Sequence, residues 1–186
     1  GNQKLENIDA LSQLTAIGGG VSIRGNPLLN RLDGLRGISS LNGNIALRDN
    51  ANLTRIGAFN TLASIGGDVS IVSNDSLQSL SAFATVTDIQ GYLSIFGNDA
   101  LLSLTGLDQL LTVDRIDIQE NISLISLAGL TSLTTVRRDL WVEENDQLED
   151  LDALGNLTAV EGVLIIRNNE LLSSVRGLRG ISNALA

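Results

Sequence analysis

The stretch Val21-Ser-Ile-Arg-Gly-Asn-Pro-Leu-Leu29 decides how the chain is read, because its frame returns down the whole sequence. It ends at Asn50 in IALRDN, at Asn74 in VSIVSN and at Asn98 in LSIFGN. It ends again at Asn121 in IDIQEN, at Asn145 in LWVEEN and at Asn169 in LIIRNN. The asparagines stand 24 residues apart, with one step of 23 between Asn98 and Asn121, and one period before Asn26 lies Asn2. A fixed period of this length marks a solenoid, in which each unit buries its core only by stacking on its neighbours. The expectation is one solenoid domain over residues 1–186, with seven full repeats and partial terminal coils. The chain opens inside a repeat, which reads as a mature or excised segment of a longer protein.

Within the unit two rhythms alternate. Around Val69-Ser-Ile71 apolar residues recur every second position, which is the period of a short β-strand. After each asparagine they recur every third position, as in Leu29, Leu32, Leu35, Ile38 and Leu41. A sustained α-helix cannot bury such a row on one face, whereas tight turns and 3₁₀ segments can. Eight residues after each asparagine the residue is small: Gly34, Ala58, Ala82, Gly106, Gly129, Ala153 and Gly177. That row predicts a corner where successive coils approach closely. The asparagines themselves are expected to point inward and to bond backbone groups of adjacent coils. Both ends lack an obvious cap, and the carboxyl end puts a short residue, Ala184, in the last core slot.

Composition narrows the function classes. A net charge of −9 argues against nucleic-acid binding, which needs a basic stripe. No apolar run approaches membrane-spanning length, so direct membrane insertion is not expected. With no cysteine and no histidine, a disulfide framework, the usual zinc ligands and imidazole-based catalysis are all absent. No cofactor or metal site is expected. The acidic run Glu143-Glu-Asn-Asp-Gln-Leu-Glu-Asp-Leu-Asp152 lacks the spacing of a calcium loop and reads as solvated surface. Threonines recur thirteen residues after several asparagines, at Thr87, Thr134 and Thr158, but Ala63 and Leu111 interrupt the row. Their hydroxyls are expected to bond backbone in the turns rather than to present an ordered outer array.

The repeat I-x-G-x-[VL]-x-I-x-x-N-x-x-L-x-x-L-x-G-L, as in Ile65-Gly-Gly-Asp-Val-Ser-Ile-Val-Ser-Asn74, resembles the receptor L-domain relatives of the leucine-rich-repeat family. The resemblance implies a β-rich right-handed solenoid of short parallel strands, with an exposed sheet used for binding. Animal L domains carry cysteines and longer irregular loops, which this chain lacks, so the likeness points to the microbial surface-protein type. It implies an extracellular or cell-surface location.

On the strands, the residues six, four and two positions before each asparagine should face outward. Of the five aromatic residues, Phe59 and Phe83 share one core slot, while Tyr92, Phe96 and Trp141 all fall on this outer face. Aromatics beside arginine are characteristic of binding hot spots. The candidate ligand surface therefore comprises Tyr92, Phe96 and Trp141 with Arg115, Asp117, Glu143, Ile165 and Arg167. The expected function is a non-catalytic binding or adhesion module for a protein or carbohydrate ligand. One alternative is a structural spacer or wall component whose patch packs against a second copy or a neighbouring domain. Another is a polysaccharide-active enzyme using Asp117, Asp139 and Glu143, though no coil carries the long loops that build a catalytic cleft.

Overall fold

The computed structural model describes residues 1–184, with 183 and 184 by backbone alone. The short residue expected in the last core slot, Ala184, thus falls outside the described side chains, and Leu185 and Ala186 fall outside the described residues. The chain winds into a solenoid of parallel strands with about 24 residues to a coil. Its outer face is built from Val21–Arg24, Ile45–Arg48, Val69–Val72, Asp88–Phe96, Thr112–Gln119, Leu140–Glu143 and Leu164–Arg167, each parallel to the next. The register repeats from coil to coil, so that Ile23 faces Leu47 and Leu47 faces Ile71. Short strands such as Ser40–Leu41, Ser64–Ile65 and Thr135–Val136 run along a second row, one corner before the face.

The three-residue rhythm becomes short 3₁₀ segments at Asp9–Leu11, Asp33–Leu35, Ser81–Phe83, Asp152–Leu154 and Arg176–Gly180. In the coils that follow Asn50, Asn98 and Asn121 the same stretch is turns instead. The local cause is positive φ, at Gly57 and Phe59 in the first and at Gly106 and Gly129 in the other two. The small-residue row sits where expected: a Cβ on Gly34 or Gly177 would overlap the carbonyl oxygen of Ile8 or Leu151 in the preceding coil.

The step of 23 residues has a definite seat. Other coils place three residues in the corner between the two strand rows, as in Ile65-Gly-Gly-Asp-Val69, whereas Val113-Asp-Arg-Ile116 has two. Pairing with the preceding coil shifts between Ile89 and Tyr92, and registers on either side are kept. Every inward residue stays stacked because the deletion falls where no core side chain is placed. The corner is otherwise tight, since a Cβ on Gly91 would lie 2.7 Å from the Gly67 carbonyl carbon. In the coil stacked on the shortened corner, Arg138 takes the corresponding position, and its Nε pairs with Asp114 Oδ2 at 3.1 Å.

One apolar cluster fills the interior from Val21 to Val160, with Phe59 and Phe83 stacked at 6.1 Å between ring centroids. The terminal coils are less covered, and Leu11, Leu14 and Val175, which occupy core slots by period, are exposed. Beside this core runs the asparagine ladder. Oδ1 of Asn98 accepts the backbone N–H of Asn74 at 3.2 Å and its Nδ2–H at 3.4 Å. Nδ2 of Asn98 donates back to the Ile71 carbonyl at 3.0 Å and to its own strand at Phe96, 3.1 Å away. The same set of bonds recurs at Asn121 and Asn145, and both are buried. Sequons at Asn74 and Asn121 are therefore closed to glycosylation in the folded chain.

Just before each ladder asparagine the chain turns through a left-handed residue: Gly25, Asp49, Ser73, Gly97, Glu120, Glu144 and Asn168, with φ between 52° and 64°. The threonine hydroxyls do bond backbone, but across coils, as Thr87 Oγ1 donates to the Ala63 carbonyl at 3.2 Å and Thr158 Oγ1 to the Thr134 carbonyl at 3.0 Å.

Replacing Asn98 by leucine, which supplies bulk without the amide, would leave the buried Asn74 N–H without its acceptor and take from the Ile71 carbonyl the donor that the amide supplies. The expected loss is about 3 kcal/mol or more by urea denaturation, and Asn98→Asp should fail to restore it because a carboxylate has no N–H for Ile71. Wild-type stability in Asn98→Leu would refute this account of the ladder.

Candidate ligand-binding face

Alternation along the face strands sends every second side chain outward, and the one-coil register lines these side chains up in three rows. Tyr92 faces Arg115 in the first row, Asp117 faces Trp141 and Trp141 faces Ile165 in the middle row, and Phe96, Gln119, Glu143 and Arg167 follow one another in the third. The residues singled out from the sequence are thus brought together on one side of the sheet.

Arg115 organises them. Its guanidinium carbon lies 3.6 Å from the centroid of the Trp141 ring and 5.6 Å from that of Tyr92. Its NH2 is 3.7 Å from Asp117 Oδ2 and its NH1 is 3.8 Å from Asp139 Oδ2. The cation is drawn to the negative faces of the rings, a contact worth ~0.5–2 kcal/mol depending on desolvation. Two buried donors in this cluster, Arg115 Nε and Trp141 Nε1, have no hydrogen-bond partner. Arg138 NH1 approaches the Tyr92 hydroxyl at 3.5 Å.

The carboxylates are held differently from one another. Glu143, which the sequence places in a solvated acidic run, is 2% exposed and accepts from Arg167 Nε at 2.5 Å. Its position on the strand, rather than the charge of its neighbours in sequence, fixes its burial. Burial pushes the Asp117 carboxyl above the ordinary aspartate value of 3.8, against hydrogen bonding from Gln119 and the charge of Arg115, with the Glu143 charge adding to the rise. Around the corner, Asp88 accepts from Thr112 Oγ1 and, at 2.7 Å, from Arg137 NH2. Burial raises its pKa, but these two partners outweigh burial and bring the net value below 3.8. Among the described residues, no group of three or more His, Cys, Asp or Glu side chains is placed to hold a metal ion.

The structure adds a feature that the aromatic count overlooks. Toward the amino end, the middle row is Ser22, Ala46, Ser70 and Ser94, and these small residues floor a shallow trough between Arg24 and Arg48 on one side and Asn44, Asp68 and Tyr92 on the other. The signal was present in the sequence as one row of the outward register, but small polar residues read as filler when they are not seen beside their walls.

No protein-family model, no curated protein and no solved structure matches the chain.

Two outcomes follow. Removing the guanidinium in Arg115→Ala uncovers the Trp141 ring, so acrylamide quenching of this sole tryptophan should rise and its emission shift to the red; unchanged quenching would contradict the stacked geometry. The two aspartates should behave oppositely. Asp117 has a raised folded pKa, so its ionised form costs stability above that pKa, and Asp117→Asn should be more stable than wild type at pH 7. Asp88 has a lowered folded pKa, so its contribution is present above the unfolded value and is lost as pH falls through the folded one. Asp88→Asn should therefore be less stable at pH 7. Urea titrations at neutral and acidic pH would show both differences shrinking as the pH falls through the respective pKa values.

Proposed function

We propose that the chain is a non-catalytic recognition or adhesion module of an extracellular or cell-surface protein, binding a protein or glycan across the outer face of its sheet. The observation that supports this most directly is the clustering of Tyr92, Arg115 and Trp141 on a face that no other described segment crosses. An exposed aromatic beside a desolvated arginine is the composition of a binding hot spot. The flat, regular coils also supply what such a face needs, a rigid support that is ordered before the ligand arrives and limits the entropy lost on binding. The likeness of the repeat to receptor L domains agrees with use of the sheet in recognition.

A second reading, a structural spacer, draws support from the same cluster, because Arg115 already occupies a face of both rings and pairs with Asp117 and Asp139. An array of purified glycans and extracellular proteins separates the two. The binding reading expects at least one ligand whose affinity falls by about 2 kcal/mol in Trp141→Ala. Gln78→Ala, away from the face, should leave that affinity unchanged, and thermal melts would check that both variants are folded. A ligand held equally well by wild type and Trp141→Ala would remove the aromatic cluster from the binding surface, and no ligand at all would favour the spacer.

A further inference from the structure

The outer face divides into two halves with different chemistry. In the carboxyl half the aromatic–arginine cluster fills the middle row. In the amino half the floor is low, with Ala46 7% and Ser70 8% exposed, and side chains rise on either side. Two adjoining depressions of about 310 and 260 Å³ share Arg48, Asp68 and Ser70 and form one continuous trough. It runs along the solenoid axis from Val21–Arg24 to Thr112–Gln119, four strand spacings, or about 19 Å. The stack of Arg115 on Trp141 closes its far end.

The trough sets two cations side by side. Arg24 and Arg48 are register partners on adjacent strands, and like charges placed directly opposite repel. Among the described residues neither has a carboxylate partner, as is also true of Arg36, Arg176 and Arg179, but only Arg24 and Arg48 combine this with facing each other across one strand spacing of the sheet. Arg48 gives one N–H to Ser70 Oγ at 2.9 Å, and its Nε is buried with no acceptor. In a protein of net charge −9, two adjacent uncompensated guanidiniums are a place for one anion, and the planar fork of arginine matches a carboxylate.

The remaining groups select what carries that carboxylate. Ser22 and Ser94 offer hydroxyls, Asp68 offers a carboxylate that also caps the Tyr92 N–H at 2.9 Å, and Tyr92 offers a ring. Hydroxyl donors and acceptors, one aromatic plane and a cationic pair complement a sugar ring that bears an acid group. An acidic peptide fits less well. Asp68 and Asp117 line the same trough, where they would repel further acidic side chains but would accept from sugar hydroxyls. The net charge also disfavours a densely charged polyanion.

We infer that the trough is a glycan subsite for a carboxylate-bearing sugar flanked by neutral sugars, with Arg24 and Arg48 holding the carboxylate. The inference rests on the reading of the outer face as a binding surface and moves its centre toward the amino half. Isothermal titration of the whole chain would use sialyllactose and a singly acidic galacturonate-containing oligosaccharide as the two sources of such a sugar. Lactose would serve as the neutral analogue and a glutamate-rich hexapeptide as the competing class. Saturable binding of either acidic sugar is expected, weaker by about tenfold or more for lactose and for the double variant Arg24→Gln/Arg48→Gln, with an unchanged melting temperature.

Equal binding of lactose, preference for the peptide, full affinity in the double variant, or no binding of either acidic sugar would each overturn the subsite. The two levels of the reading fail separately. A ligand that depends on Trp141 alone keeps the face and sinks the subsite. An acidic sugar lost in the arginine variant but kept in Trp141→Ala keeps the subsite and sinks the aromatic centre.

Discussion

The asparagine amide is the contact on which the stack depends. Where a strand leaves the face and turns toward the core, the backbone N–H of the asparagine passes beyond the sheet ladder and is withdrawn from water, and leaving such a group unpaired costs more than the bond itself returns. A single amide answers this on both sides. Its oxygen takes the N–H of the preceding asparagine, and its nitrogen takes a carbonyl of the preceding strand. Neither leucine nor aspartate can do both. The residue is thus fixed by hydrogen-bond valence, while its neighbours are fixed only by volume and by φ.

This division explains what could be read in advance. The period, the strand, the three-residue rhythm and the close-approach row were legible because each is repeated, and repetition separates a structural requirement from a local accident. The left-handed residue before each asparagine was not legible. Gly25, Asp49, Ser73, Glu120 and Asn168 fill one conformational slot with different chemistries, so no common side chain marks it. The place of the missing residue also needed the structure, since the anchors report a step of 23 without saying which part of the coil is shorter.

On the outer face the same limit is sharper. Register placed Tyr92, Phe96 and Trp141 on one side, and the structure brings them there. It could not show that Arg115 lies against both Tyr92 and Trp141, because that depends on side-chain torsions across two coils. Nor could it show that Glu143 is sealed beneath Arg167 while Glu144, its neighbour in the same acidic run, is exposed. The trough over Ser70 and Ser94 is defined by what its floor lacks, and absence of bulk has no signature until the walls are in place.

The direction of the ladder has a mechanical consequence. The bonds between successive asparagines, like those between successive strands, lie along the solenoid axis and not across it. A load pulling the two ends apart along that axis bears on one inter-coil interface at a time, so the chain would peel coil by coil instead of shearing as a block. Each released coil of 24 residues adds about 80 Å of extended chain. A stack built in this way yields in steps under tension, and the coils still wound keep their outer face intact while it lengthens.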